Sequence, residues 1–219
     1  MDPKEIVRRG YESISAAYLA RRRQDAEDML VLQELIQRLP EGAKVLDAGC
    51  GAGVPVAKAL SERFDVTGVD FAEGQLRLAR ELVPNATFIC GDMTKLDLPD
   101  ESFDAVVSYY AIIHIPRTEH RRFLRRLWRM LRGGGLALLC MGADDIPGET
   151  FDDYMGAPMY WSHFDEATNL RMLEESGFEV LLHKIVPDDP GRHLFVLASK
   201  THLPDGSSAL GPGETADRH

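Results

Sequence analysis

Long apolar runs are missing from this chain. Its most hydrophobic stretches, Ala105-Val106-Val107 and Leu136-Ala137-Leu138-Leu139-Cys140-Met141, are strand-sized and well short of the ~20 residues a membrane span needs. An apolar signal core is also absent: Met1-Asp2-Pro3-Lys4-Glu5 leads directly into an amphipathic pattern, so a cytoplasmic protein with no membrane partner is expected. Cysteine is scarce. Cys50, Cys90 and Cys140 are odd in number and far apart, which excludes a disulfide framework and zinc-type spacing, so no metal is expected. Each falls in or beside a stretch that reads as strand, as a small buried hydrophobe would. Positive charge is outweighed: 25 Lys and Arg face 35 Asp and Glu, a net charge of −10. That argues against a nucleic-acid partner, because neutralising phosphates supplies most of such affinity. No internal repeat is visible, and nothing fixes an oligomeric state.

At 219 residues, 44% of them hydrophobic, the chain suits one domain with a full core. It is organised around Val45-Leu46-Asp47-Ala48-Gly49-Cys50-Gly51-Ala52-Gly53-Val54-Pro55, which reads as buried strand, glycine turn and helix start. Glycines at alternate positions let the backbone bend tightly and approach a ligand, and the following helix would aim free N–H groups at it. The dinucleotide pattern is G-x-G-x-x-G; here Val54 stands where its third glycine belongs. Asp47, at the strand's end, would face two phosphates at close range and suits a positively charged ligand instead.

The spacing predicts helices over residues 4–21 and 25–39 ahead of the first strand, 44–47, either packing on the sheet or covering the glycine turn. Then come a helix over 54–63, a strand over 65–70, a helix over 73–82 and a strand over 86–90. The fourth strand covers 103–108, a helix 118–131 and the fifth strand 136–141. Asp70 lies about 20 residues past the turn, where a βαβ unit delivers a carboxylate to ribose hydroxyls. With Asp47 and Asp92, it places acids at three successive strand ends, and these should converge on one rim. Together they describe a site for a cation, a ribose and an exocyclic amine, with Phe71 and Met93 available to sandwich a planar base.

The helix over 118–131 carries a basic outer face, Arg121, Arg122, Arg125, Arg126, Arg129 and Arg132, read as a solvated face balanced by acids elsewhere, with an RNA patch as the sharper alternative. Residues 142–164 read as irregular and rich in aromatics, methionine and acids; so long a connection in a compact fold is usually functional. Asp165 caps a helix ending at Gly177. Strands over 178–186 and 193–198, joined by a short turn, should pair antiparallel. From Thr201 the tail reads as disordered, leaving 1–200 as the folded unit.

This pattern resembles the class I S-adenosylmethionine-dependent methyltransferases, in their small-molecule branch, across residues 4–199. The carriers are the glycine turn with Asp47, then Gly68-Val69-Asp70, Gly91-Asp92-Met93, Phe103-Asp104-Ala105-Val106-Val107-Ser108 and Leu131-Arg132-Gly133-Gly134-Gly135. The resemblance implies an α/β, Rossmann-like, seven-stranded and mostly parallel sheet, its last strand antiparallel beside the fifth, with helices on both faces and an N-terminal helical lid in residues 1–40. It implies S-adenosylmethionine as cofactor. Asp47 would lie near the methionyl ammonium, with Gly49, Gly51 and Gly53 along its backbone. Asp70 would meet the ribose and Asp92 the adenine amine, with Phe71 and Met93 flanking the adenine. Tyr11 and Tyr18 match the aromatic pair of the lid, and Tyr109 joins the cofactor side. Transfer needs positioning more than covalent help. His114, beyond the fourth strand, and His163 are the candidate bases. Tyr110, His114, Tyr160, Trp161 and His163 are the candidate acceptor residues. The expected function is methyl transfer to oxygen or nitrogen of a small organic molecule. The alternatives are an RNA methyltransferase, a non-catalytic binder and, against Val54 and Asp47, a nicotinamide-dependent oxidoreductase.

Overall fold

The computed structural model describes residues 1–21, 27–188 and 191–201. The expected helix start at Asp25, part of the turn before Gly191 and the tail from 202 lie outside them. Helices α1 (Pro3–Arg21) and α2 (Glu27–Arg38) precede β1 (Lys44–Ala48). After it come α3 (Val56–Leu60), β2 (Asp65–Asp70), α4 (Glu73–Leu82), β3 (Thr87–Cys90) and β4 (Phe103–Ser108). The chain continues through α5 (His120–Met130), β5 (Leu131–Gly142), β6 (Ile146–Tyr154), β7 (Ala157–His163), α6 (Glu166–Glu175), β8 (Phe178–Asp188) and β9 (Gly191–Lys200).

Seven strands form one sheet in the order β3-β2-β1-β4-β5-β9-β8. The pairs from β3 to β5 are parallel, and β9 runs antiparallel between β5 and β8, as expected. Strand alternation divides the core in two. Leu46, Val106, Leu139 and Val196 face α5 and α6, where Phe123, Leu127 and Met172 cover them. Val45, Val107, Leu138 and Phe195 face α2 and α3, where Leu32, Leu35 and Leu60 cover them. Reversal of strand order on either side of β1 and β4 opens a crevice at the carboxyl ends of the strands, the usual ligand position in open α/β sheets.

Four expectations are corrected. Residues 142–164 are not irregular: β6 and β7 form an antiparallel hairpin with Tyr154 opposite Ala157 across a two-residue turn. Met155 and Gly156 both have positive φ, 56° and 94°, the requirement of a type I′ turn, which is usually met by Asn-Gly. The helix after the glycine turn is only five residues long, so it offers little dipole to a ligand. Cys90 is exposed rather than buried, because β3 is the sheet's edge strand; Cys140 alone is fully buried. The two N-terminal helices also separate: α2 packs on the core beside α3, whereas α1 lies against β7 and α4. Among the described residues, no helix is long and apolar enough to cross a membrane.

Candidate active site

The glycine turn folds because three alternate residues adopt the left-handed region: φ is +82° at Gly49, +53° at Gly51 and +73° at Gly53. A side chain at Gly49 would overlap Ala111. The amides of Gly49 and Cys50 donate to the Val69 carbonyl at 2.8 and 3.0 Å, tying the turn to β2. The Gly51 amide donates to Asp70 Oδ2 at 2.9 Å, and the Ala72 amide donates to Asp70 Oδ1 at 2.9 Å. Both oxygens of Asp70 keep further acceptor capacity.

A cavity of about 80 Å³ opens beside the turn. It gathers Tyr11, Tyr18, Gly49, Gly51, Asp70, Phe71, Asp92, Met93 and Tyr109 from five separate elements and loops, together with Lys4 and Gln75, which the sequence did not single out. Asp47 lies in the adjoining cavity of about 40 Å³, with Tyr18, Gly49 and Gly51. Gly53 lines neither cavity; it sits beneath the turn against Val83 and Phe88, so its part is in the bend itself.

The acids differ in what holds them. Asp47 is 1% exposed and its Oδ2 has no hydrogen-bond partner. Burial, helped by neighbouring Asp70, pushes its carboxyl up to about 7. Burial also raises Asp70, to about 6, against the backbone amides that favour its charge. Two buried carboxyls that ionise this reluctantly make a place where a cation is preferred. Asp92 goes the other way. Burial opposes its charge, but hydrogen bonds from Thr94 and the ammonium of Lys4 hold it below the usual carboxylate range. Lys4 Nζ reaches from α1 to Asp92 Oδ2 at 3.2 Å, to Thr94 Oγ1 at 2.6 Å and to Glu119 Oε2 at 2.6 Å. Glu12 makes a second tie, accepting from the Gly74 amide at 3.0 Å.

A larger cavity of about 610 Å³ adjoins the first, within the usual size of small-ligand pockets. Tyr11, Tyr18, Tyr110 and His114 line both. Its far wall comes from the β6–β7 hairpin, with Phe151, Tyr154, Trp161 and His163. Phe151 and Tyr154 each meet Trp161 at right angles, centroids 5.1 Å apart. His163 Nδ1 donates to the Asp144 carbonyl at 2.7 Å. Tyr160 is the exception among the expected acceptor residues. β7 alternation turns its ring toward Gly148 and out of the cavity, and only its carbonyl acts inward.

That carbonyl fixes His114. A carbonyl only accepts, so His114 Nδ1 carries the proton and donates to it at 2.7 Å. Nε2 is then an acceptor, and the Tyr11 hydroxyl donates to it at 2.9 Å. Burial holds the imidazole down at about 4, with the Tyr160 hydrogen bond opposing, so His114 is neutral at pH 7. Burial likewise keeps the Tyr11 phenol well above its ordinary value. Tyr109, by contrast, is a wall: its ring packs on Phe195 and its hydroxyl donates to the Asp28 carbonyl at 3.1 Å.

The arrangement fits S-adenosylmethionine on the protein's own terms. An orphaned, buried carboxylate oxygen at Asp47 calls for an ammonium, and Asp70 offers acceptors to a diol. Residues 45–135 match the model of a methyltransferase domain. Demethylmenaquinone methyltransferase of Listeria welshimeri is 32% identical over 130 residues, covering 54% of each chain. A probable S-adenosylmethionine-dependent methyltransferase of Mycolicibacterium smegmatis is 30% identical over 151 residues, 69% of this chain and 57% of that one. The chain thus spans little more than half the length of these relatives. In fold it is similar to the 1,6-didemethyltoxoflavin N1-methyltransferase of Burkholderia thailandensis, solved with 1,6-didemethyltoxoflavin and S-adenosylhomocysteine bound. The TM-score there is 0.69, at 22% identity and 92% coverage of both chains. The chain thus carries a methyltransferase domain over residues 45–135 and is similar in sequence to S-adenosylmethionine-dependent methyltransferases.

Proposed function

We propose that this protein transfers the methyl group of S-adenosylmethionine to oxygen or nitrogen of a small organic acceptor. The observation that carries the proposal is the wall shared by the two cavities: Tyr11, Tyr18, Tyr110 and His114 stand between the cofactor side and a larger space lined by aromatic side chains. Residues 1–200 act as one unit in this reading, with α1 as the lid. When bound, the cofactor supplies an electrophilic methyl on a sulfonium. Asp47 takes its ammonium, Asp70 the ribose hydroxyls, Phe71 and Met93 the faces of the base, and Asp92 the adenine amine, beside Lys4. Tyr11 and Tyr18, their centroids 5.0 Å apart, turn rings and hydroxyls toward the positive centre.

In this arrangement the Tyr11 hydroxyl, which occupies His114 Nε2, stands between the acceptor and the base. As the acceptor gains its methyl, it loses a proton to Tyr11 Oη, while the Tyr11 proton passes to His114 Nε2. A base held at about 4 takes a proton readily from an oxonium or from a methylated ring nitrogen of low basicity, and poorly from an alkylammonium. This favours hydroxyls and weakly basic heterocycles. His163 is the second base candidate, farther along the same wall. One similar sequence is named a demethylmenaquinone methyltransferase and one similar fold a 1,6-didemethyltoxoflavin N1-methyltransferase, and an acceptor of that kind would lie against Trp161.

The arginine face of α5 gives the RNA alternative little support. Arg129 pairs with Asp100 at 2.9 Å and Arg121 with Glu175, while Arg132 lies beyond the helix in β5 and pairs with Asp104 at 2.5 Å. Two buried carboxyls at the turn oppose the pyrophosphate that a nicotinamide enzyme would hold there. The test is a metabolite screen with S-adenosylmethionine, read by mass spectrometry for enzyme-dependent gain of one methyl group. Gain on RNA alone would overturn the small-molecule reading. Tight S-adenosylhomocysteine binding with no gain on any acceptor would leave a non-catalytic binder.

A further inference from the structure

Among the described residues lining the cavity of about 80 Å³, Gln75 is the one with buried side-chain polar atoms that have no hydrogen-bond partner. It stands in the first turn of α4, and α4 begins directly after the loop that Asp70 pins through the Ala72 amide. The side chain is 1% exposed, and neither Oε1 nor Nε2 has a hydrogen-bond partner. Glutamine is ordinarily a surface residue, and a buried amide is ordinarily paired. Leucine or methionine would fill the same space at no polar cost. The amide is not facing packed core either. Gln75 lines the cofactor cavity, and a side chain built on Gly51 would stand 3.7 Å from Oε1. Gly51 is also the residue whose amide holds Asp70 Oδ2. Glycine turn, carboxylate and amide therefore meet at one place.

Asp70, ionised, can only accept hydrogen bonds. A ribose diol presented to it gives up both protons to acceptors, and its oxygens still have lone pairs to satisfy in a site that excludes water. We infer that Gln75 is a cofactor-binding residue whose Nε2 donates to a ribose hydroxyl oxygen, complementing Asp70. The inference rests on the reading of S-adenosylmethionine as the cofactor. It assigns to Gln75 a share in selecting a ribonucleoside, because a deoxynucleoside would leave the amide buried and unpaired again.

The test is Gln75→Leu, which keeps the volume and removes the polar atoms. Calorimetric titration measures S-adenosylhomocysteine and its 2′-deoxy and 3′-deoxy forms, and thermal melting follows the ligand-free chain. The variant should bind S-adenosylhomocysteine about tenfold more weakly, the scale of one lost buried hydrogen bond. That loss should shrink to less than about threefold with whichever deoxy form lacks the hydroxyl that Gln75 serves. The ligand-free variant should melt at the same temperature or higher, since an unpaired buried amide is gone. A packing role would give the opposite: a lower melting temperature and an equal loss on all three ligands. Wild-type protein that fails to bind S-adenosylhomocysteine overturns the cofactor reading. Wild-type binding with the variant within twofold, or with equal losses on every ligand, overturns the Gln75 assignment alone.

Discussion

Asp47→Asn should make the ligand-free protein more stable and nearly unable to hold the cofactor. In the folded chain Asp47 titrates at about 7 instead of 3.8. A carboxyl raised in the fold contributes stability that is complete below its unfolded value and is lost as pH rises to the folded one. The window here is therefore about pH 4 to 7, and the loss is flat above it. Three pH units correspond to a ceiling of about 4 kcal/mol. Asparagine does not titrate, but it leaves unpaired amide atoms of its own, which offsets about half of the gain. The net is about 2 kcal/mol above pH 7, or about 4 to 8 °C in melting temperature for a chain of this length. The difference between variant and wild type should open from pH 4 to 7 and then stay constant in a thermal melt. Binding moves the other way: losing a buried partner for an ammonium costs about 2 to 4 kcal/mol, about 30-fold or more in affinity. Equal melting temperatures at pH 8, or S-adenosylhomocysteine binding within threefold of wild type, would refute the reasoning.

Tyr11→Phe removes the hydroxyl between acceptor and His114; kcat should fall by about 10- to 100-fold, with S-adenosylhomocysteine affinity within about threefold. The profile of kcat against pH should show no histidine limb between pH 5 and 8, because His114 is already neutral there; a limb near 6.5 would contradict the relay. Lys4→Met frees Asp92 and Glu119 from α1, and the amides of Pro3–Arg21 should exchange with deuterium about tenfold faster. Unchanged protection would show that Glu12 and the apolar face hold the helix without it.

The sheet was legible because its strands obey local rules. Val45-Leu46 and Ala105-Val106-Val107 are short continuous apolar runs, as in parallel sheets buried on both faces. Each is closed by an acid or a small residue at the carboxyl end, and the same strand-end rule puts Asp47, Asp70 and Asp92 on one rim. The β6–β7 hairpin was not legible. β6 is exposed along nearly its whole length, which leaves no apolar alternation to read, and its turn uses Met155 where Asn would have signalled a hairpin. The contacts between Lys4 and Asp92 and between Tyr11 and His114 span 88 and 103 residues, and nothing local in a sequence records such a pairing. Gln75 was missed for a different reason. On a helix it looks like one more polar surface position, and only its burial sets it apart.

A third, small core joins α1 to the hairpin: Val7 and Ile14 meet Ala157 and Met159, with Gly10 lying against Pro158 and Met159. The hairpin that forms the acceptor wall thus also seats the helix that carries Lys4, Tyr11 and Glu12, with Tyr154 and Trp161 common to wall and seam. Acceptor preference and grip on the methyl donor are therefore not independent traits in this protein. An enlarged side chain at position 159, inside the seam, would lift α1 and loosen both. Selection or design for a new acceptor therefore has an easier route at Phe151, which faces the open space and stands outside that seam.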